Sequence, residues 1–244
     1  MASNNLILGP SLGTSSFVWS KTQPLLPQSL QVNNFELPGH GPQTPAPGPV
    51  SISDIADQVI ELADTLQMDT FHYVGISLSG SVGLDLALRY PGRLDSLAVV
   101  CSAAKFGERQ AWLDRAEQVR AQGTAVLVEG SAQRWFAPGF IERDPDSVSQ
   151  LLHDLSDADN DSYAYLCDAL ADFDLRERLS DVNVPTLVLS GEHDPVAPPE
   201  TGRSVAEPIS GAGYQTITDA SHLAPIEQPD QVAQAMAGFI QERK

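Results

Sequence analysis

Positive charge is scarce in this chain: 14 lysines and arginines stand against 32 aspartates and glutamates, a net charge of −18 over 244 residues. That balance argues against nucleic acid or an anionic membrane as a partner, since both are held through clustered cations. An anionic substrate would need locally placed cations to offset this field, so basic residues near a reactive site matter here. Cysteine is equally scarce. Cys101 and Cys167 lack metal-ligand spacing and are expected to be buried free thiols, not a disulfide. No apolar run approaches a membrane span, and Met1-Ala-Ser-Asn-Asn5 has no basic region before an apolar segment. A cytoplasmic location is therefore expected, with neither a spanning helix nor a secretory signal. No internal repeat, zinc pattern or phosphate loop occurs, so no metal and no cofactor are expected. The hydrophobic share of 42% and charged share of 19% suit one globular α/β core with an inserted subdomain.

What the chain does have is a strand that turns abruptly into a helix. Phe71-His-Tyr-Val-Gly75 reads as a short apolar strand, Ile76-Ser77-Leu78-Ser79-Gly80 as a sharp turn, and Val82, Leu84, Leu86, Ala87 and Leu88 as helix. A strand ending in Gly-x-Ser-x-small is a nucleophile elbow, in which the middle serine, Ser77, is lifted into an exposed and strained position. The two backbones pass close together there, so the residues two before and two after must be small. Gly75 fits fully and Ser79 nearly. The amide of Leu78, at the start of the helix, is placed to stabilise an oxyanion.

Around that unit the chain alternates strand and helix. Residues Asn5 to Leu8 form a buried strand, followed by the loop Gly9 to Ser16; such a loop supplies the second oxyanion amide, and Leu12 is the expected donor. Each donor of this kind is worth ~3–4 kcal/mol in other enzymes. Gln31 to Leu37 is the next strand, with His40 expected to stabilise the turn beyond it. Pro42 to Pro49 is a surface loop, and a helix starts at Ser53 and runs to about Gln67. After the elbow, Ser96 to Cys101 is again a strand, which implies right-handed crossovers and a parallel sheet. Residues 103–180 break the rhythm with helical stretches near 109–122, 124–135, 146–154 and 162–171. The expected organisation is a core of residues 1–104 and 181–244 with a helical cap over 105–180. Phe106, Trp112, Trp135 and Phe136 are expected to line a pocket beneath it, and Lys105, directly after the strand end, is placed to meet a substrate anion.

Val184 to Ser190 resumes the sheet and leads to Asp194, and a last strand near 214–218 leads to His222. Ser77, Asp194 and His222 thus follow in chain order, each just past a predicted strand end. The chemistry needs each type: a hydroxyl becomes a nucleophile once a neutral imidazole accepts its proton, and the carboxylate fixes the imidazole tautomer and stabilises its cation. Asp219 and His193 are rivals for the last two roles, expected instead to shape loops, while His72 and His153 have no triad-like placement.

Over nearly its whole length the chain resembles the α/β-hydrolases, and among them the 3-oxoadipate enol-lactonases. The resemblance rests on Ser11-Leu-Gly-Thr14 with Trp19, Ala103-Ala-Lys-Phe-Gly107, Arg134-Trp-Phe-Ala-Pro138, Tyr163 with Cys167-Asp-Ala-Leu170, Asp174-Leu-Arg176, and Ser190-Gly-Glu-His-Asp-Pro195. Departures are Pro10 for the family's Asn, Ser79 for Gly, Gln43 for Ser, and no sign of the leading antiparallel hairpin. The resemblance implies cofactor-free hydrolysis of the enol-lactone to 3-oxoadipate, late in aromatic-compound breakdown. The substrate's free carboxylate would then be met by Lys105 or Arg134, with Trp135 closing the pocket. A general carboxylesterase on the same scaffold, and a ligand-binding protein that has lost catalysis, are the other readings of the same residues.

Overall fold

The computed structural model describes residues 3–241. Its centre is a six-stranded, all-parallel sheet in the order β2-β1-β3-β4-β5-β6. The strands are β1 Asn5–Gly9, β2 Gln31–Asn34, β3 Phe71–Ile76, β4 Leu94–Val100, β5 Thr186–Gly191 and β6 Gly213–Ile217. Every residue of β3 and β5 is buried, as strands covered on both faces must be, and these are the apolar runs that stand out in the sequence. β2 is shorter than the expected 31–37: Phe35 N–H still donates to Leu8 O, but β1 ends at Gly9 and offers the next residues nothing to pair with. Among the described residues β2 forms one edge of the sheet, and no antiparallel strand covers it.

Helix α1 (Ile52–Thr65) opens with a capping box in which the Ser51 and Asp54 side chains each bond the other's backbone amide. It packs on α2 (Leu78–Arg89), which lies against β3 and β4. Gly83 permits that approach, because a Cβ there would stand 2.6 Å from the Leu97 side chain. Helix α8 (Pro199–Ala206) covers β5, and α10 (Pro229–Gln241) closes the described chain.

Between β4 and β5 come α3 (Arg109–Gln122), α4 (Val128–Trp135), α5 (Phe140–Arg143), α6 (Pro145–Asp157) and α7 (Asn160–Asp172). The expected helix over 124–135 divides into a 3-10 turn at Thr124–Leu127 and α4, and α5 was not foreseen. α3 and α7 pack on each other, and α4 packs on α6. Backbone bonds tie this insert to the rest of the chain: Asp159 N–H donates to Gly39 O and Leu175 N–H to Ala104 O. Among the described residues no helix is long and apolar enough to cross a membrane. Cys101 and Cys167 are free and buried, and burial raises both thiols, that of Cys167 to about 12, so neither is an ordinary nucleophile.

Candidate active site

Ser77 stands between β3 and α2 with φ 56° and ψ −120°, a conformation an L-residue holds only when its surroundings enforce it. They do so through bonds at both ends of the residue: Ser77 N–H donates to Val100 O at 2.9 Å, while Ser77 O accepts from Gly80 N–H at 2.8 Å and Ser102 Oγ at 2.6 Å. Gly75 is obligatory, since a Cβ there would sit 2.1 Å from Ser79 O. The departure at residue 79 is accommodated by a hydrogen bond: Ser79 Oγ donates to Pro10 O at 2.6 Å, joining the elbow to the loop that carries Leu12.

β5 and β6 deliver the other two members. Asp194 follows β5, and its Oδ1 accepts from the amides of Val196 and Ala197 at 2.7 and 3.1 Å. This leaves Oδ2 for His222, whose Nδ1 lies 2.8 Å away; Nε2 lies 2.9 Å from Ser77 Oγ. The residues Ser77, Asp194 and His222 are 7%, 3% and 2% exposed, so the Asp194 charge acts on the imidazole with little screening from water. With the proton on Nδ1 held by Asp194, Nε2 is free to accept from Ser77 Oγ. The rivals stand elsewhere: His193 is exposed, and Asp219, at φ 53°, caps a surface loop in which its N–H bonds Glu192.

Leu78 is the first residue of α2, where an amide has no intrahelical acceptor. In the β1 loop the Ser11 N–H is taken by Thr14 Oγ1 at 3.1 Å, whereas Leu12 N–H has no acceptor among the described residues. Trp19 Nε1 bonds Gly9 O at 3.1 Å and fixes the start of the loop.

Ser77 and His222 open into a cavity of about 200 Å³ roofed by the helical insert. Of the aromatics expected there, Phe106, Trp112 and Trp135 line it, whereas Phe136 packs instead on Phe140. Arg134 reaches the cavity as well. Lys105 does not: it is paired with Asp174 at 3.7 Å and is absent from the lining. A second cation, Arg115, was missed. It lies on α3 three residues after Trp112, hence on the same helix face, and its guanidinium sits 4.9 Å from the centre of the Trp112 ring. Neither Arg115 nor Arg134 is ion-paired among the described residues. Burial, and then repulsion by Arg115, push the Arg134 pKa below its ordinary value. A larger open groove of about 490 Å³ between the Pro42–Pro49 loop and α1 has no serine, histidine or cation in its lining.

His40, by contrast, is structural. Its Nδ1 lies 2.9 Å from Pro38 O, the ring stacks on Tyr163, and burial lowers its pKa to about 4, keeping it neutral. His72 is enclosed within the sheet beside Ser96 Oγ, and His153 is exposed beside Asp157.

Residues 6–235 match the alpha/beta hydrolase family. The chain belongs to that family. It is 38% identical to 3-oxoadipate enol-lactonase 2 of Acinetobacter baylyi over 224 residues, covering 92% of this chain and 84% of that one. It is 32% identical to enol-lactonase 1 of the same organism, covering 96% and 88%. Among solved structures, the enol-lactonase of Burkholderia xenovorans LB400 superposes with a TM-score of 0.94 at 32% identity, covering 99% of this chain and 92% of the other. The parallel-sheet α/β-hydrolase fold expected from the elbow and strand order is the one observed.

Proposed function

We propose that this hydrolase opens 3-oxoadipate enol-lactone to 3-oxoadipate through an acyl-serine on Ser77, acting late in aromatic-compound breakdown. His222 Nε2 takes the Ser77 proton as Oγ attacks the ring carbonyl, and the Asp194 carboxylate stabilises the imidazolium that results. The amides of Leu12 and Leu78 hold the oxyanion. When the tetrahedral intermediate collapses, the ring C–O bond breaks. The enolate so formed takes a proton from His222 and becomes the 3-oxo ketone. A water molecule, deprotonated by the same imidazole, then attacks the acyl-serine, and Ser77 leaves with the returned proton. The sum is lactone plus water to the dicarboxylate.

One observation carries the choice of substrate: in a chain of net charge −18, two guanidiniums with no carboxylate partner among the described residues converge on the cavity that contains Ser77. They repel one another until an anion lies between them, and the enol-lactone brings a free carboxylate beside its reactive ring. Cavity size agrees, since about 200 Å³ is small against the roughly 300–1,000 Å³ of pockets for drug-sized ligands. Support from relatives comes from the two Acinetobacter enol-lactonases.

The test follows ultraviolet loss of freshly made enol-lactone with wild-type protein and Ser77→Ala, beside p-nitrophenyl acetate. Fast lactone loss that vanishes in the variant, with slow ester turnover, is the expected result. Ester turnover without lactone turnover would leave a general acyl hydrolase. A folded protein inactive on both would favour a binding role.

A further inference from the structure

One buried carboxylate close to the triad has no part in the mechanism above. Glu227 ends the short helix α9 (Ala224–Glu227) and is 4% exposed. Its two oxygens accept from amides of two different segments. Oε1 takes Ser221 N–H at 2.8 Å, immediately before His222; Oε2 takes Ala137 N–H at 2.6 Å, two residues beyond Trp135. Two further contacts run in parallel: Leu223 N–H donates to Trp135 O at 3.2 Å, and Ser221 Oγ lies 3.1 Å from Arg134 O.

The segment that presents Arg134 and Trp135 to the substrate is thus joined to the loop that presents His222 to Ser77, with one side chain spanning the junction. Only an ionised carboxylate can accept both amides without turning a proton toward one of them, and the isosteric amide would oppose one N–H with its own NH₂. Burial raises the Glu227 pKa to about 7, and the groups facing it are His222, Arg143 and Cys101.

We infer that Glu227 is a positioning residue that sets the anion-binding wall and the general base in register, so that substrate grip and serine activation rise and fall together. This inference rests on the triad and the Arg134 role given above.

The test reads the two ends separately and uses no lactone. Serine activation is the second-order rate of Ser77 labelling by a small uncharged fluorophosphonate. Grip is the calorimetric affinity of adipate, a dicarboxylate, measured in a Ser77→Ala background. In Glu227→Gln, with a cooperative melt retained, both are expected to fall about tenfold, the effect of one ordinary hydrogen bond's misplacement. Glu227→Asp, which keeps the charge but is one methylene short of spanning both amides, should show the same paired loss and serves if the Gln variant does not fold. Wild-type values for either reading in a folded variant would overturn the coupling. A wild-type protein that does not label at all would overturn the triad reading, and the coupling with it. Lactone turnover failing while the paired loss persists would contradict only the substrate.

Discussion

Removing the Arg134 guanidinium tests the anion site most sharply. Arg134→Met keeps much of the apolar stem that packs at the cavity while deleting the charge. A hydrogen bond to a charged group contributes about 1.5–3 kcal/mol, or about 10–150-fold in an equilibrium constant. Two features of the structure place the effect at the low end. Arg134 is only half-buried, so water screens part of the interaction, and Arg115 remains to hold the anion. Repulsion between the two cations also disappears with the substitution. The expected loss is therefore about 10–30-fold in kcat/KM for the enol-lactone, carried mostly by KM because the carboxylate is held alike in ground and transition states. For p-nitrophenyl acetate, which has no anionic group, kcat/KM should change less than about twofold. Steady-state kinetics with both substrates at low and high salt give the ratio directly, and added salt should weaken only the lactone's advantage. Equal losses on the two substrates would refute the reasoning, because they would show Arg134 acting through the fold or the triad.

Other expectations follow from single contacts. Ser79→Gly deletes the 2.6 Å bond from Oγ to Pro10 O that ties the elbow to the Leu12 loop. It should lower kcat on lactone and ester alike by about 5–30-fold, a buried hydrogen bond being worth about 1–2 kcal/mol; unchanged kcat in stopped-flow turnover would remove Ser79 from any role in holding the loop. Gly75→Ala places a methyl 2.1 Å from Ser79 O. The expected outcome is a melting temperature several degrees lower and loss of fluorophosphonate labelling, since backbone must move to make room. Glu227 also predicts a pH dependence of stability. Its folded pKa of about 7 lies above the ordinary glutamate value of about 4.5, so the folded state holds the proton more tightly; the resulting stabilisation is complete below about 4.5 and is lost as pH rises to 7. Denaturant unfolding should show wild type gaining on Glu227→Gln by up to ~3 kcal/mol between pH 8 and pH 5. His40 acts in the opposite sense, neutral when folded and costing stability as pH falls below 6.5, which is why the pairwise comparison is needed. A flat difference would contradict the raised pKa.

The placement of Ser77, Asp194 and His222 was legible because each lies just past a strand end. Gly75, Ser77 and the start of α2 declare the elbow within a few residues; Asp194 follows the short, fully buried run of β5, and His222 follows β6, a half-exposed strand whose Gly-Tyr-Gln-Thr-Ile carries a weaker signal. The cavity wall was harder to read. Whether α3 turns Arg115 or a neighbour inward is decided by packing on α7, and only Ala116 and Val119 of α3 are buried, too few to mark a face. Lys105 looked well placed from its nearness to β4, yet Asp174, 69 positions later in the numbering, claims it. Glu227 was invisible for a related reason, as one of its amides lies 90 residues away along the chain. α5 and α9 are four residues each, shorter than any helical period can reveal.

The central claim is that Ser77 opens the lactone by becoming acylated, and a rapid-quench experiment with mass analysis of the Ser77 peptide tests it most directly. Ring opening releases no leaving group from the substrate, so the account predicts a transient adduct equal to the whole lactone mass on Ser77, decaying to free enzyme and absent in Ser77→Ala. Lactone consumed at full rate with no adduct at any quench time, or undiminished in Ser77→Ala, would contradict it.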